Sequence, residues 1–149
     1  MTLQGMDNVG IVVDDLDAAV AFFAELGLEL EGKAEVSGPF ADQSVGLDGV
    51  RCAIAMMRAP DGSGRLELAQ YLNPAALPAT PENPPHNIVG MHRVMFRVEG
   101  IEDVVERLRA HGGELVGEIA VYEDTIRLCY LRGPAGTFVG LADYGRTSS

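Results

Sequence analysis

The chain of 149 residues carries one pattern twice, and this repeat constrains the fold more than any other feature. Three pairs of segments align, the first of them without gaps at an offset of 85 residues: 6–17 with 91–102, 27–32 with 112–117, and 67–71 with 140–144. A Pro-x-Gly turn precedes each member of the last pair. A repeat of this length indicates two copies of one supersecondary unit, folded in tandem.

Each copy begins with a strand and a helix. Residues 9–13 (VGIVV) form a short apolar run rich in β-branched side chains, which is typical of a strand. Asp14, Asp15 and Asp17 then offer an N-cap and a favourable charge for a helix. Apolar residues follow at helical spacing, and glycine ends each helix. The helical positions are Leu16, Val20, Phe23 and Leu26 before Gly27, and Ile101, Val104, Val105 and Leu108 before Gly112-Gly113.

Later strands and a linker complete the organisation. The predicted strands are residues 52–57, 66–71, 126–131 and 138–142. Between the copies, residues 72–87 hold five of the eight prolines, which predicts a semi-extended linker outside any sheet. We therefore expect one domain over residues 1–149, with module one at 5–71, the linker at 72–87 and module two at 88–145.

Composition limits the partners. The net charge of −11 would repel a phosphate backbone, which argues against nucleic-acid binding. The apolar runs are far shorter than the ~18 residues of a membrane span, and the N-terminus has no signal-peptide pattern. Cys52 and Cys129 fit a reducing compartment better than a disulfide framework. We expect a cytoplasmic protein in which both thiols are buried and inert.

The phrase from Asn8 to Phe23 (NVGIVVDDLDAAVAFF), followed by Leu-Gly and set within the repeat, resembles the vicinal-oxygen-chelate superfamily. This is the glyoxalase, bleomycin-resistance and extradiol-dioxygenase group, and the resemblance extends from about Met6 to Tyr144. It implies an α+β fold of two tandem β-α-β-β-β modules whose curled mixed sheets enclose a central cleft. It also implies a small-molecule ligand and favours a homodimer. The scaffold hosts lyases, epimerases, dioxygenases and plain binders, so the fold does not fix the activity.

The resemblance implies four metal-ligand positions, two in each module. They correspond here to Asn8, Glu67, Arg93 and Gly140. Glu67 is a good ligand, whereas glycine has no side chain and a guanidinium offers no lone pair. The sequence therefore predicts no bound metal and no other cofactor.

Our hypothesis is that Arg93 replaces the metal ion and pairs with Glu67, because buried charges persist when they are paired and hydrogen-bonded. The alternative is that both side chains face solvent without a partner. His92, one residue from the expected ligand position, would reach the cleft only through a β-bulge. His86 in the linker is expected at the surface.

Strand alternation assigns further residues to the predicted cleft. The candidate substrate-binding residues are Asn8, Tyr71, Met95, Arg97 and Phe138. An apolar pocket with a few polar groups is the usual composition of a small-molecule site. The inward arginines favour an anionic or carbonyl-bearing ligand, whereas the net charge favours a cationic one.

Three classes of function remain open. The first is a metal-independent binder of a small organic molecule, similar to the drug-sequestering members of the superfamily. The second is a metal-independent isomerase, epimerase or lyase that acts beside a carbonyl, with Glu67 as general base and Arg93 stabilising an enolate-like oxygen; both residues would then be catalytic. The third is a metal-dependent glyoxalase or dioxygenase, disfavoured by the missing histidines.

Overall fold

The computed structural model describes residue 4 and residues 6–79, 81–90 and 93–145. The chain divides into two compact units, Met1–Leu77 and Pro78–Ser149. Each unit contains one four-stranded mixed sheet. Among the described residues, no helix is both long and apolar enough to cross a membrane.

The first unit contains four strands and two helices in its described part. In chain order they are β1 (Val9–Val12), α1 (Leu16–Leu26), β2 (Glu29–Ser37), α2 (Pro39–Val45), β3 (Arg51–Arg58) and β4 (Arg65–Asn73). The sheet order is β1-β4-β3-β2. β1 runs parallel to β4, and the other neighbouring strands are antiparallel.

The second unit repeats this plan without a counterpart of α2 in its described residues. Its elements are β5 (Arg93–Arg97), α3 (Ile101–Arg109), β6 (Glu114–Tyr122), β7 (Ile126–Arg132) and β8 (Phe138–Asp143), with one 3-10 turn at Pro134–Gly136 before β8. The sheet order β5-β8-β7-β6 matches the first unit strand for strand, and β5 runs parallel to β8. The predicted α+β fold of two β-α-β-β-β modules is confirmed.

The ends of α1 form as their residues predict. The Asp15 carboxylate caps the helix by accepting a hydrogen bond from the Ala18 N–H at 3.0 Å. Gly27 follows the helix with φ at +123°, a conformation that side-chain-bearing residues rarely adopt, and its N–H bonds back to Phe23 and Ala24.

α1 and α3 each cover one face of their own sheet, and this is where the main cores lie. The buried helix positions are Leu16, Ala19, Phe22 and Phe23 in α1 and Ile101, Val104, Val105 and Leu108 in α3. Alternate residues of the central strands complete these cores: Ala55, Met57, Leu66 and Leu68 in the first unit, and Cys129, Leu131, Val139 and Leu141 in the second. The opposite face of each sheet, which we call its open face, is therefore left for other contacts.

Three elements were not located by the sequence: β2, β6 and α2. All nine residues of β2 are exposed, because it is an edge strand, and its charged sequence ELEGKAEVS has no continuous apolar face. α2 covers one end of the first open face, where Ala41 packs with Val50, Cys52 and Ala69. β4 also extends to Asn73, two residues into the predicted linker.

Candidate functional site

Strand register defines equivalent positions on the two open faces. In the first unit Gly10 of β1 lies beside Glu67 of β4. In the second unit Met95 of β5 lies beside Gly140 of β8. The sequence alignment of Glu67 with Gly140 therefore corresponds to equivalent places in the two sheets. In each pair, glycine faces a long side chain.

Glu67 lies in a row of small and apolar residues. Its cross-strand neighbours are Gly10 and Met56, and Met56 in turn faces Gly32. Glu67 is half-buried, and the described residues of its own unit give its carboxylate no hydrogen bond or ion pair. A shallow depression of about 280 Å³ adjoins this row, lined by Glu31, Gly32, Lys33, Ala34, Ile54 and Met56. The first open face thus combines one carboxylate with space for a ligand.

The two other candidates of the first unit lie at opposite ends of its sheet. Asn8 immediately precedes β1, and its amide donates to the Asp7 carboxylate at 2.9 Å. Tyr71 lies near the end of β4, where it packs against the α2 cluster that contains Cys52. Burial raises the pKa of the Cys52 thiol, and the charge of Glu67 adds to that effect. Cys52 is therefore a packing residue and not a nucleophile.

The space beside Gly140, where the family resemblance implies a ligand position, is filled by neighbouring side chains. A Cβ atom built on Gly140 would lie 2.7 Å from the Met95 sulfur and 2.9 Å from Cε1 of Tyr130. Tyr130 is the cross-strand partner of Gly140 on β7. Even a methyl group at this position would displace the thioether or the ring.

Arg93 and Arg97 both lie on the open face of the second sheet, at the two ends of β5. The Arg93 guanidinium donates to the Tyr130 hydroxyl at 3.3 Å and lies 5.8 Å from the centre of that ring. The Arg97 guanidinium lies 5.0 Å from the centre of the Tyr144 ring. Both arginines are exposed. The predicted pairing of Arg93 with Glu67 would join the two units and stays a prediction.

Phe138 faces the open side but is 1% exposed, because a segment of the linker covers it. The His86 ring stacks on Phe138 with centroids 3.9 Å apart and an interplanar angle of 22°. It also meets the Tyr130 ring edge-on at 4.4 Å. His86 is therefore half-buried on the sheet, and the expectation of a surface histidine is wrong. A ligand would meet His86 before it met Phe138.

Arg132 fixes this linker segment. Its guanidinium donates to the backbone carbonyls of Asn83 and Pro84 at 3.1 and 2.8 Å and lies 4.4 Å from the centre of the Phe138 ring. The sequence did not indicate Tyr130 or Arg132 as candidate residues, and its linker position misplaced His86 at the surface. The alternation of β7 could have identified the first two, because both lie opposite β8 residues already assigned to the open face. No local pattern indicates that residue 86 folds back onto the sheet.

Asp143 lies on the helix-covered face, away from these residues. Its carboxylate accepts hydrogen bonds from the backbone N–H groups of Ile101 and Gly145 and pairs with Arg127, which also contacts Glu102. The Gly145 N–H contributes most to lowering the pKa of Asp143; Ile101 and Arg127 act in the same direction, and burial opposes them. Asp143 is therefore a structural anion that holds the start of α3.

The described donor set does not fit a divalent metal. Across residues 6–79, 81–90 and 93–145, no three His, Cys, Asp or Glu side chains lie close enough together to hold one. Glu67 has glycine and methionine beside it, and the equivalent place in the second unit contains a thioether and a ring. His92, the alternative ligand, lies outside the described residues.

Comparison with known proteins identifies the family. Residues 7–130 match the family model described as the Glyoxalase/Bleomycin resistance protein/Dioxygenase superfamily. A crystal structure of a glyoxalase family protein from Bacillus cereus is 48% identical, with a TM-score of 0.90 over 96% of this chain and 95% of that one. No curated protein matches the chain.

Two more distant structures share the fold alone. A trypanothione-dependent glyoxalase I from Leishmania major is 18% identical, with a TM-score of 0.66 over 95% of this chain and 88% of that one. A fosfomycin resistance protein from Listeria monocytogenes is 12% identical, with a TM-score of 0.61 over 99% and 96%. With the family model matching most of its length, the chain belongs to the glyoxalase/bleomycin resistance protein/dioxygenase superfamily.

Proposed function

We propose that this protein binds a small organic molecule on the open faces of its sheets and needs no metal to do so. The observation that carries the proposal is the filled position at Gly140, where Met95 and Tyr130 take the space that a ligating side chain would need. Of the four family positions, Glu67 alone offers a carboxylate. A single carboxylate competes poorly with water for a transition metal.

The first open face supports ligand binding through its shape. Gly32 and Ala34 leave the depression accessible, and Ile54 and Met56 give it apolar walls. Glu67 lies next to it, as the cross-strand neighbour of Met56. Small-molecule sites commonly combine such apolar walls with a few polar groups.

Thermal unfolding with a panel of organic compounds, with and without a chelator, tests this function. A ligand that binds the native state raises Tm according to its concentration and affinity. We expect the same rise in Tm in both conditions. A rise that vanishes with chelator and returns with added Zn²⁺ or Ni²⁺ would support a metal-dependent glyoxalase or dioxygenase instead.

Catalysis with Glu67 as general base is a second candidate function. The observation that favours it is the half-buried carboxylate of Glu67, which lies beside Gly10. Among the described residues of its own unit, no donor or cation engages this carboxylate. Such a group is available to remove a proton beside a carbonyl, as isomerases, epimerases and lyases do.

Exchange of the α-proton in D2O, followed by ¹H NMR on a panel of carbonyl acids, tests the base directly. We expect Glu67→Gln to lose the exchange and Glu35→Gln to keep it, because Glu35 is an exposed partner of Arg51. Exchange that persists in Glu67→Gln would exclude this role.

We also propose that the protein acts in the cytoplasm as a homodimer. Two buried free thiols and the family resemblance support this. Light scattering at micromolar concentration tests the assembly, and a monomer throughout would reject it.

A further inference from the structure

Three arginines of the second open face differ from the other described cations. Lys33 and six arginines each pair with a carboxylate: Lys33 with Asp17, Arg51 with Glu35, Arg58 with Glu29, Arg65 with Glu31 and Asp7, Arg107 with Asp103, Arg109 with Glu106, and Arg127 with Glu102 and Asp143. Within the second unit, the described residues offer no carboxylate to Arg93, Arg97 or Arg132. The chain has twice as many acidic as basic residues, so a shortage of carboxylates does not explain this.

Arg132 is already engaged with the protein. Its guanidinium binds three backbone carbonyls, those of Asn83, Pro84 and Gly136, and stacks on Phe138. Arg97 lies against the Tyr144 ring at the far end of β5. Within the described part of the second unit, the Arg93 guanidinium donates a hydrogen bond to one protein group, the Tyr130 hydroxyl.

Arg93 and Tyr130 converge on one place. At a separation of 3.3 Å, the guanidinium and the phenol can both donate to a single ligand oxygen pair. Met95 supplies an apolar floor beside them, because its thioether lies across Gly140. The His86 ring, which meets the Tyr130 ring edge-on, lines one side of the same place.

We infer that Arg93 and Tyr130 form a subsite for the carboxylate of a small organic acid, whose apolar body rests on Met95 and His86. The inference rests on the proposed small-molecule function and names its ligand class. A carboxylate fits because it matches the planar fork and carries a single charge. A phosphate dianion would find one guanidinium and an apolar surround, which compensate it poorly.

The net charge of −11 does not oppose this subsite at contact distance. Exposed charges farther away than the Debye length of about 8 Å are largely screened at physiological salt. A hydrogen-bonded guanidinium acts within a few ångströms and decides the local preference. The subsite thus selects an anion within an acidic protein.

The test is an NMR titration of protein labelled at the methionine methyl groups. Met95 reports on the subsite and Met56 on the first open face, and Met95→Leu and Met56→Leu assign the two signals. The probes are benzoate, the neutral benzamide, the cationic benzylamine, and phenylphosphonate. We expect benzoate to shift the Met95 signal until the subsite is saturated. Benzamide should bind with an affinity at least about tenfold lower.

Variants of Arg93 and Tyr130 measure how much each hydrogen-bond donor contributes to benzoate binding. Arg93→Gln should weaken benzoate binding about tenfold, and Tyr130→Phe should weaken it less, because a neutral hydroxyl contributes less than a guanidinium. Arg109→Gln removes the same charge from the exposed side of α3 and should leave binding unchanged. Arg93→Lys keeps the charge, and weaker binding in this variant would identify the planar fork as the recognition element.

Each remaining outcome contradicts the subsite. Equal binding of benzamide and benzoate, tighter binding of phenylphosphonate, or unchanged binding in Arg93→Gln would overturn it. A shift at Met56 without one at Met95 would overturn it and leave the proposed small-molecule function standing. No shift at either methionine with any probe would count against the subsite and the function together.

Discussion

Met95 lies directly across Gly140 in the second sheet, as Glu67 lies across Gly10 in the first. In the first unit the long side chain, Glu67, is on the last strand, β4. In the second unit it is Met95, on the first strand, β5. This exchange fills the second ligand position with a thioether while leaving the first with a carboxylate. Of the three positions where the family resemblance implies a ligand and this chain has none, Asn8, Arg93 and Gly140, this arrangement accounts for Gly140.

The contact predicts that Gly140→Ala destabilises the protein by about 1–3 kcal/mol, because the new methyl group overlaps Met95 and Tyr130. Met95→Ala should reduce that cost in the double variant. Gly32→Ala is the matched control, since its Cβ would meet open space in a strand. Urea unfolding measures the wild type, the single variants Gly140→Ala, Met95→Ala and Gly32→Ala, and the double variant. An equal loss in Gly140→Ala and Gly32→Ala would contradict the packing account.

The stacked histidine predicts a second effect on stability. His86→Ala removes the ring that covers Phe138 and touches Tyr130, and we expect a loss of about 1–2 kcal/mol. His86→Phe keeps an aromatic ring in that place and should lose less. A wild-type Tm in His86→Ala would contradict a stabilising role of the stacked ring.

The contacts of Asp143 predict that its carboxylate makes a pH-dependent contribution to the free energy of unfolding. Its folded pKa lies below the ordinary 3.8, so the stabilisation is complete above that pH and is lost as pH falls through the folded pKa. Asp143→Asn should therefore cost about 1–3 kcal/mol at neutral pH and progressively less in acid. Gln70 makes the equivalent bond to the Leu16 N–H at 2.9 Å. Gln70→Ala is the control, and its cost should not follow the titration of a carboxylate.

The burial of the two cysteines predicts that their thiols react slowly with a disulfide reagent in the native protein. Burial raises the pKa of the Cys129 thiol to about 11, with a smaller contribution from Glu102. Cys129 is 1% exposed and Cys52 is 4% exposed. A disulfide reagent at about pH 8 should label both thiols rapidly in urea and slowly in the native protein. Rapid native labelling of Cys52→Ala, which retains Cys129, would show that the thiol is accessible.

The repeat made much of this architecture predictable. An alignment at the level of Gly10 with Met95 and Glu67 with Gly140 identified the equivalent positions, because both copies keep the same strand register. β2 escaped prediction because an exposed edge strand needs no apolar alternation. α2 was missed because Pro39–Val45 is short and contributes a single buried residue, Ala41.

The site was less predictable than the fold. The contacts of His86 depend on residues about 50 positions away in sequence, and no local pattern encodes them. The role of Tyr130 required the register of β7 against β8, which the turn between them sets. The contact of Met95 and Tyr130 with Gly140 depends on side-chain packing, which the sequence pattern does not give.

Metal content is the most direct test of the central claim that this member of the superfamily works without a metal. The protein should be purified without chelator or affinity metal, and its Zn, Ni, Mn, Fe, Co and Cu measured by elemental mass spectrometry against protein concentration. The account predicts far less than one tightly bound ion per chain, unchanged in Glu67→Gln. About one ion per chain that is lost in Glu67→Gln would contradict it.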